Sequence, residues 1–129
     1  MKNSENELGT RVIGAAIEVH RELGPGLLES AYEGALAAEL RSGGLNVEQQ
    51  VPVNVHYKGQ DLGLGFRADL IVEGQVLVEL KSVERIMEVH KKQVQTYLKL
   101  TGLRLGYLMN FNAQVLRSGI VRCVNALPE

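Results

Sequence analysis

Phe66-Arg-Ala-Asp69-Leu-Ile-Val72-Glu-Gly-Gln75-Val-Leu-Val-Glu79-Leu-Lys81 reads as two strands joined by a tight loop. With Glu73-Gly74-Gln75 as a three-residue loop, Val72 pairs with Val76 and Asp69 falls directly opposite Glu79. Opposed residues have Cβ atoms about 4.5–5.5 Å apart, so two carboxylates share one face at a distance that suits one hard cation. Lys81, two residues beyond Glu79, points to that same face. A bare acid pair would repel, and one member would have a raised pKa; a metal ion removes the conflict. Mg²⁺ keeps several waters and leaves room for a phosphate oxygen and an attacking water, while Lys81 can orient that water or stabilise developing charge. That set of groups suits phosphodiester hydrolysis. The same short pattern also fits solvent-face strand residues with Lys81 as a surface cation. Against that, Val76, Leu77, Val78 and Leu80 make the strand apolar on both faces, and acids in such strands are rarely buried without a partner.

Outward from this hairpin, the spacing of Val12, Ile13, Ala16, Ile17, Val19 and Leu23 predicts a helix over 8–23, stopped by Gly24-Pro25-Gly26. Leu28, Tyr32, Ala35, Leu36 and Leu40 predict a second over about 27–42, ended by Ser42-Gly43-Gly44. From Val47 the period shortens through Val51, Val53, Val55 and Tyr57 to that of a half-buried strand, with Lys58-Gly59-Gln60-Asp61 as a hairpin turn and the next strand at about 64–72. A third helix is expected over 85–101 with Gly102 at its cap. A buried strand follows at Arg104–Asn110, then a last strand or hairpin arm within Val115–Val124. The order α-α-β-β-β-α-β-β predicts an α/β fold, a mixed sheet flanked by helices, in one domain spanning 1–129.

Other side chains converge on the same chemistry. Glu29, Tyr32 and Leu36 share a stripe of the second helix, making Glu29 a candidate third carboxylate; an acid in the first turn of a helix is equally favoured by the helix dipole. His90, Gln93 and Tyr97 form a polar stripe on the third helix, where Gln93 and Tyr97 could hold a ligand phosphate or base, or else stand as an exposed amide and a core aromatic. Arg85, Lys91, Lys92, Lys99 and Arg104 lie in or beside that helix, as contacts to a phosphate backbone or as a solvated face. Net charge is -1, yet 7 of the 14 Lys and Arg follow residue 84, so the basic charge is local. His20, His56 and His90 lack metal-ligand spacing, and no serine or cysteine nucleophile motif occurs. The single Cys123 excludes an internal disulfide and fits a reducing, cytoplasmic setting. No stretch is long and apolar enough for a membrane span.

Gly26-Leu-Leu-Glu29-Ser-Ala-Tyr32 resembles the GxxExxY signature of a family of small prokaryotic proteins within the PD-(D/E)XK nuclease superfamily. Phe66-Arg-Ala-Asp69-Leu, Glu79-Leu80-Lys81, Gln93-Val-Gln-Thr-Tyr97 and Gly106-Tyr-Leu-Met-Asn110-Phe extend the likeness over most of the chain. The resemblance implies a restriction-endonuclease-like fold in which Asp69 and Glu79 ligate Mg²⁺ or Mn²⁺, Lys81 assists the nucleophile and Glu29 is the helix-borne acid near the metal. It also implies that Gln93 and Tyr97 lie beside the site. Ala68 stands where the superfamily's name has proline, a residue that carries no ligand atom.

The expected function is therefore metal-dependent cleavage of nucleic acid, DNA before RNA, with Asp69, Glu79, Lys81 and Glu29 as the catalytic set. Gln93, Tyr97, Tyr32, Lys91 and Lys92 are expected to line the site or meet the nucleic acid. One site cuts one strand, so double-strand cutting calls for a homodimer. The alternative is a catalytically silent accessory or nucleic-acid-binding module acting through a partner. A structural or small-ligand protein would leave the coincident acids and Lys81 unexplained.

Overall fold

The computed structural model describes residues 4–128. Its elements run α1 (Ser4–Leu23), α2 (Glu29–Ser42), β1 (Val47–Tyr57), β2 (Gln60–Val72), β3 (Val76–Lys81), α3 (Glu88–Thr101), β4 (Leu105–Asn110) and β5 (Ile120–Val124), with a 3-10 turn at Leu116–Gly119. Among the described residues the strands form one mixed sheet in the order β1-β2-β3-β4-β5. Neighbours are antiparallel except β3 and β4, which run parallel. Parallel neighbours need a long crossover, and α3 supplies it. No helix among the described residues is long and apolar enough to cross a membrane.

The period-2 alternation of the central strands sorts their side chains onto two faces. Leu70, Val72, Val76, Val78, Leu80, Leu105, Tyr107 and Met109 pack with Leu8, Val12, Ala16 and Val19 of α1 and Tyr32, Leu36 and Leu40 of α2. Ile71, Leu77 and Leu108 point the other way, against Val94 and Leu98 of α3. A layer of helices thus covers each face, and β3 and β4 are buried on both sides except at Lys81. Gly106 lets α3 come close: a Cβ there would lie 3.2 Å from Leu98 Cδ2 and 3.4 Å from the Leu77 carbonyl oxygen. Full burial of each of these leucines contributes roughly 1.5–3 kcal/mol.

Element boundaries differ from the sequence expectation in ways that matter for the site. The second helix starts at Glu29 rather than 27, because Leu28 is extended at ψ 151°. The third starts at Glu88 rather than 85. Asn110 on β4 holds the preceding segment, with Val83 N–H donating to its Oδ1 at 3.1 Å and its Nδ2 donating to the Val83 carbonyl at 2.9 Å. The first hairpin turn is only Lys58-Gly59, at φ 50° and 82°, a left-handed pair that matches the twist of a two-residue hairpin. Gln60 and Asp61 therefore pair with Tyr57 and His56, and β2 is longer than expected. Its outer half, paired with β1 alone, leaves Tyr57, Leu62 and Leu64 exposed. Val115–Val124 divides into the 3-10 turn and β5.

Candidate active site

The β2–β3 hairpin has the register its loop length dictates: Val72 pairs with Val76, Ile71 with Leu77 and Leu70 with Val78. The next step brings Asp69 opposite Glu79, and there the backbone ladder gives way to side chains. Asp69 N–H donates to Glu79 Oε2 at 2.7 Å, and Leu80 N–H donates to Asp69 Oδ2 at 2.9 Å. Each carboxylate thus satisfies a backbone donor of the opposite strand, which would otherwise be orphaned where the strands part. Ala68 and Ile71, three residues apart, both face α3, so the alternation slips by one residue around Asp69.

Glu79 is 8 % exposed, while Asp69 and Lys81 are half-buried. Burial first, and the charge of Asp69 second, push the Glu79 carboxyl up to about 8; the Asp69 N–H and the Lys81 ammonium pull the other way. The three groups are therefore close enough to feel one another, in surroundings that resist two adjacent negative charges. A divalent cation fits this donor set. It would let both acids ionise and would draw its remaining ligands from water or substrate, since Mg²⁺ is commonly held by one or two carboxylates. Among the described residues no three His, Cys, Asp or Glu side chains form a metal-holding group. The two acids of the hairpin thus stand without Glu29, which is exposed at the first position of α2. The loop before α2 still reaches this end of the sheet, where Ser82 Oγ donates to the Leu27 carbonyl at 2.9 Å.

On α3, Tyr97 stacks on Phe66 of β2 at 3.7 Å and 6°. Burial raises its phenol, and the charges of Glu79 and Asp69 raise it further, so Tyr97 borders the acids. Gln93 is exposed one turn earlier on the same stripe. His90 accepts the Met87 N–H at 2.9 Å and fixes the start of the helix.

Two of the expected lining residues lie elsewhere. Lys91 pairs with Glu88 at 3.3 Å, and its charge is felt by the Cys123 thiol of β5, which burial holds up. It occupies the flank of α3 away from the acids, together with Gln95, whose Nε2 donates to the Val124 carbonyl at 2.8 Å. Tyr32 is 0 % exposed and cannot meet a ligand directly. Its hydroxyl accepts the Leu27 N–H at 3.0 Å and donates to the Gly24 carbonyl, and its ring stacks on Phe111 at 4.7 Å. Tyr32 therefore pins the loop entering α2. Lys92 is exposed on α3. Arg104, grouped with these cations by sequence, forms a two-pronged ion pair with Glu5 of α1.

Gln50 and Glu33 of the neighbourhood escape a sequence reading. Gln50 on β1 donates through Nε2 to Asp69 Oδ1 at 3.1 Å and to Glu33 Oε1 of α2 at 2.6 Å. Asn110 shapes the segment leaving Lys81, whose carbonyl also accepts the Phe111 N–H at 2.9 Å. The only trace of Gln50 in the sequence is a gap, since position 49 lacks the apolar residue that the alternation of β1 calls for.

No curated protein and no solved structure matches the chain. Residues 6–123 match the model of the PD-(D/E)XK nuclease superfamily. With that match over nearly all of its length, three helices around a five-stranded mixed sheet among the described residues, consistent with a restriction-endonuclease-like fold, and two acids and a lysine on one hairpin, this chain belongs to the PD-(D/E)XK nuclease superfamily.

Proposed function

We propose that the protein is a metal-dependent nuclease that hydrolyses phosphodiester bonds, in DNA before RNA. Nucleases of this superfamily generally use divalent metals and act on nucleic acid. The observation that carries the reading is the reciprocal Asp69–Glu79 pair, with a buried Glu79 whose carboxyl is pushed up to about 8, so that a neighbouring cation would favour its ionised form, and Lys81 on the same strand. Asp69 and Glu79 would hold Mg²⁺ or Mn²⁺. Such an ion supplies charge stabilisation at the phosphate and a more acidic water. Lys81 orients the attacking water and offsets charge developing on the phosphate. Gln93 and Tyr97 position a phosphate or base from α3, Lys92 meets the backbone farther out, and Glu29 acts at the rim through solvent. The Gly26–Tyr32 segment supports placing the chain among the small prokaryotic GxxExxY proteins, and free Cys123 suits a cytoplasmic location. Double-strand cutting would take a homodimer.

The test is incubation with single-stranded, duplex and branched DNA and with RNA, in Mg²⁺, Mn²⁺ or chelator, beside Asp69→Ala and Lys81→Ala. Cleavage by the wild type alone, and only with metal, is expected; cleavage surviving Asp69→Ala overturns the reading. A second reading, an accessory module acting through a partner, is favoured by the ion pairs that occupy Arg104 and Lys91 and leave less free basic charge for a phosphate backbone. Metal binding without cleavage of any substrate would move that reading ahead.

A further inference from the structure

Among the described residues four other than glycine have positive φ: Gln50 at 51°, Lys58 at 50°, Glu73 at 54° and Ala126 at 55°. Lys58 and Glu73 sit in hairpin loops ahead of a glycine, where a left-handed turn is required. Ala126 lies past the last strand. Gln50 alone is inside a strand, between the Gln49–Leu70 and Val51–Ala68 pairs and across from Asp69. A long side chain with positive φ in an extended strand is unfavourable and persists only where the surroundings hold it.

That backbone conformation has a visible result. Consecutive strand residues normally point to opposite faces. Here Gln49 and Gln50 converge on one carboxylate, with Gln49 Nε2 donating to Glu33 Oε2 at 3.0 Å and Gln50 Nε2 to Glu33 Oε1 at 2.6 Å. Gln49 is held in turn by Arg41, whose Nη1 donates to Gln49 Oε1 at 3.1 Å and whose Nη2 donates to the Val47 carbonyl at 2.7 Å. The second hydrogen of the Gln50 amide goes to Asp69 Oδ1 at 3.1 Å, and Asp69 Oδ2 already takes the Leu80 N–H. Both oxygens of Asp69 are thus fixed, one from β3 and one from β1.

We propose that Gln50 is a positioning residue that sets the orientation of Asp69, with Glu33 of α2 as its anchor and the left-handed backbone as the device that aims it. A neutral amide suits the task. It orients the carboxylate without adding the positive charge of a lysine or arginine, which would repel a cation at the same site. The link to metal binding rests on the reading of Asp69 as a ligand given above.

The test uses the full chain, with Gln50→Gly as its central variant because glycine accepts φ 51° and the substitution removes only the amide arm. By analogy with other groups that orient metal ligands, Mn²⁺ affinity measured by titration calorimetry should fall about tenfold, with an unchanged or higher melting temperature. Glu33→Ala should weaken Mn²⁺ binding in the wild-type background and add nothing in Gln50→Gly, because both act through one hydrogen-bond chain. Mn²⁺ affinity within about twofold of wild type in Gln50→Gly overturns the proposal. A metal-independent readout separates its failure from failure of the metal reading: exchange of the Leu80 amide proton, which Asp69 protects, should quicken in Gln50→Gly while the Phe111 amide is unchanged. If Asp69→Ala leaves Mn²⁺ affinity intact, the metal reading falls, and the Leu80 exchange alone decides whether Gln50 positions Asp69. An unchanged Leu80 rate counts against it.

Discussion

The two faces of the sheet are built to different standards. The face under α1 and α2 is continuous and apolar, from Leu8 and Val12 through Leu36 and Leu70 to Met109 and Phe111. The face under α3 is apolar only at its centre, around Leu77, Val94, Leu98 and Leu108, and gives way at one end to Asp69, Glu79 and Lys81. A single helix of 14 residues covers it. The contrast separates most of the stability from the chemistry: one face carries the larger core, and the other has its carboxylates where strand pairing stops and coverage is incomplete, tied to α2 through Gln50 and Glu33.

Substitutions should therefore have separable effects on the two faces. The largest stability loss is expected from Phe111→Ala, which empties a fully buried site against Tyr32. Urea denaturation should show a loss of about 3–5 kcal/mol, while the variant, kept folded at low temperature, should still bind Mn²⁺. Loss of Mn²⁺ binding in a folded Phe111→Ala would break the separation.

A smaller, pH-dependent effect is expected on the other face. The folded-state pKa of Glu79 is raised from 4.5 to about 8. Its contribution to stability is fully present below the unfolded value near 4.5 and is lost as pH rises through about 8, because the unfolded chain releases that proton first. Glu79→Gln cannot ionise, so without metal its stability relative to wild type should rise between pH 5 and 8.5, by on the order of 3 kcal/mol. Saturating Mn²⁺ at pH 8 should stabilise the wild type and not this variant. A difference that stays flat with pH would mean that the acid pair is less desolvated than its burial indicates.

The smallest effect is expected at Arg104→Ala, far from the acids. The side chain of Arg104 is 45 % exposed, and its partner Glu5 is nearly buried. A modest fall in melting temperature that shrinks at high salt is expected, with nucleic-acid affinity by fluorescence anisotropy unchanged. A clear loss of affinity would return Arg104 to the binding surface that its place in the sequence suggests.

Most of the fold was legible because it rests on local periodicity and loop length. The apolar run of 76–80 marked a buried strand, and the three-residue loop before it was enough to set Asp69 against Glu79. What escaped depends on rotation and distance. Glu29 shares a stripe with Tyr32 and Leu36, but the helix begins at Glu29 itself, so that residue lies at an exposed end. Lys91 and Gln93 are two positions apart in sequence, and only the docking of Val94 and Leu98 decides which flank of α3 each takes. Arg104 finds its partner 99 positions away, beyond any local pattern. The left-handed Gln50 has no side-chain signature at all, because nothing in glutamine favours that conformation.

The parallel pairing of β3 with β4 also sets an order of assembly. The β2–β3 hairpin closes over three residues, so Asp69 and Glu79 can meet early in folding at small entropic cost. Lys81 and Asn110 pair only after the chain has traversed the whole α3 crossover, a contact that topology makes slow. On contact order alone, the acids should meet before α3 docks and removes their solvent, an order that φ-values near zero for Val94→Ala and Leu98→Ala would support. In that order the electrostatic cost of the site would fall on the closure of the sheet rather than on the hairpin.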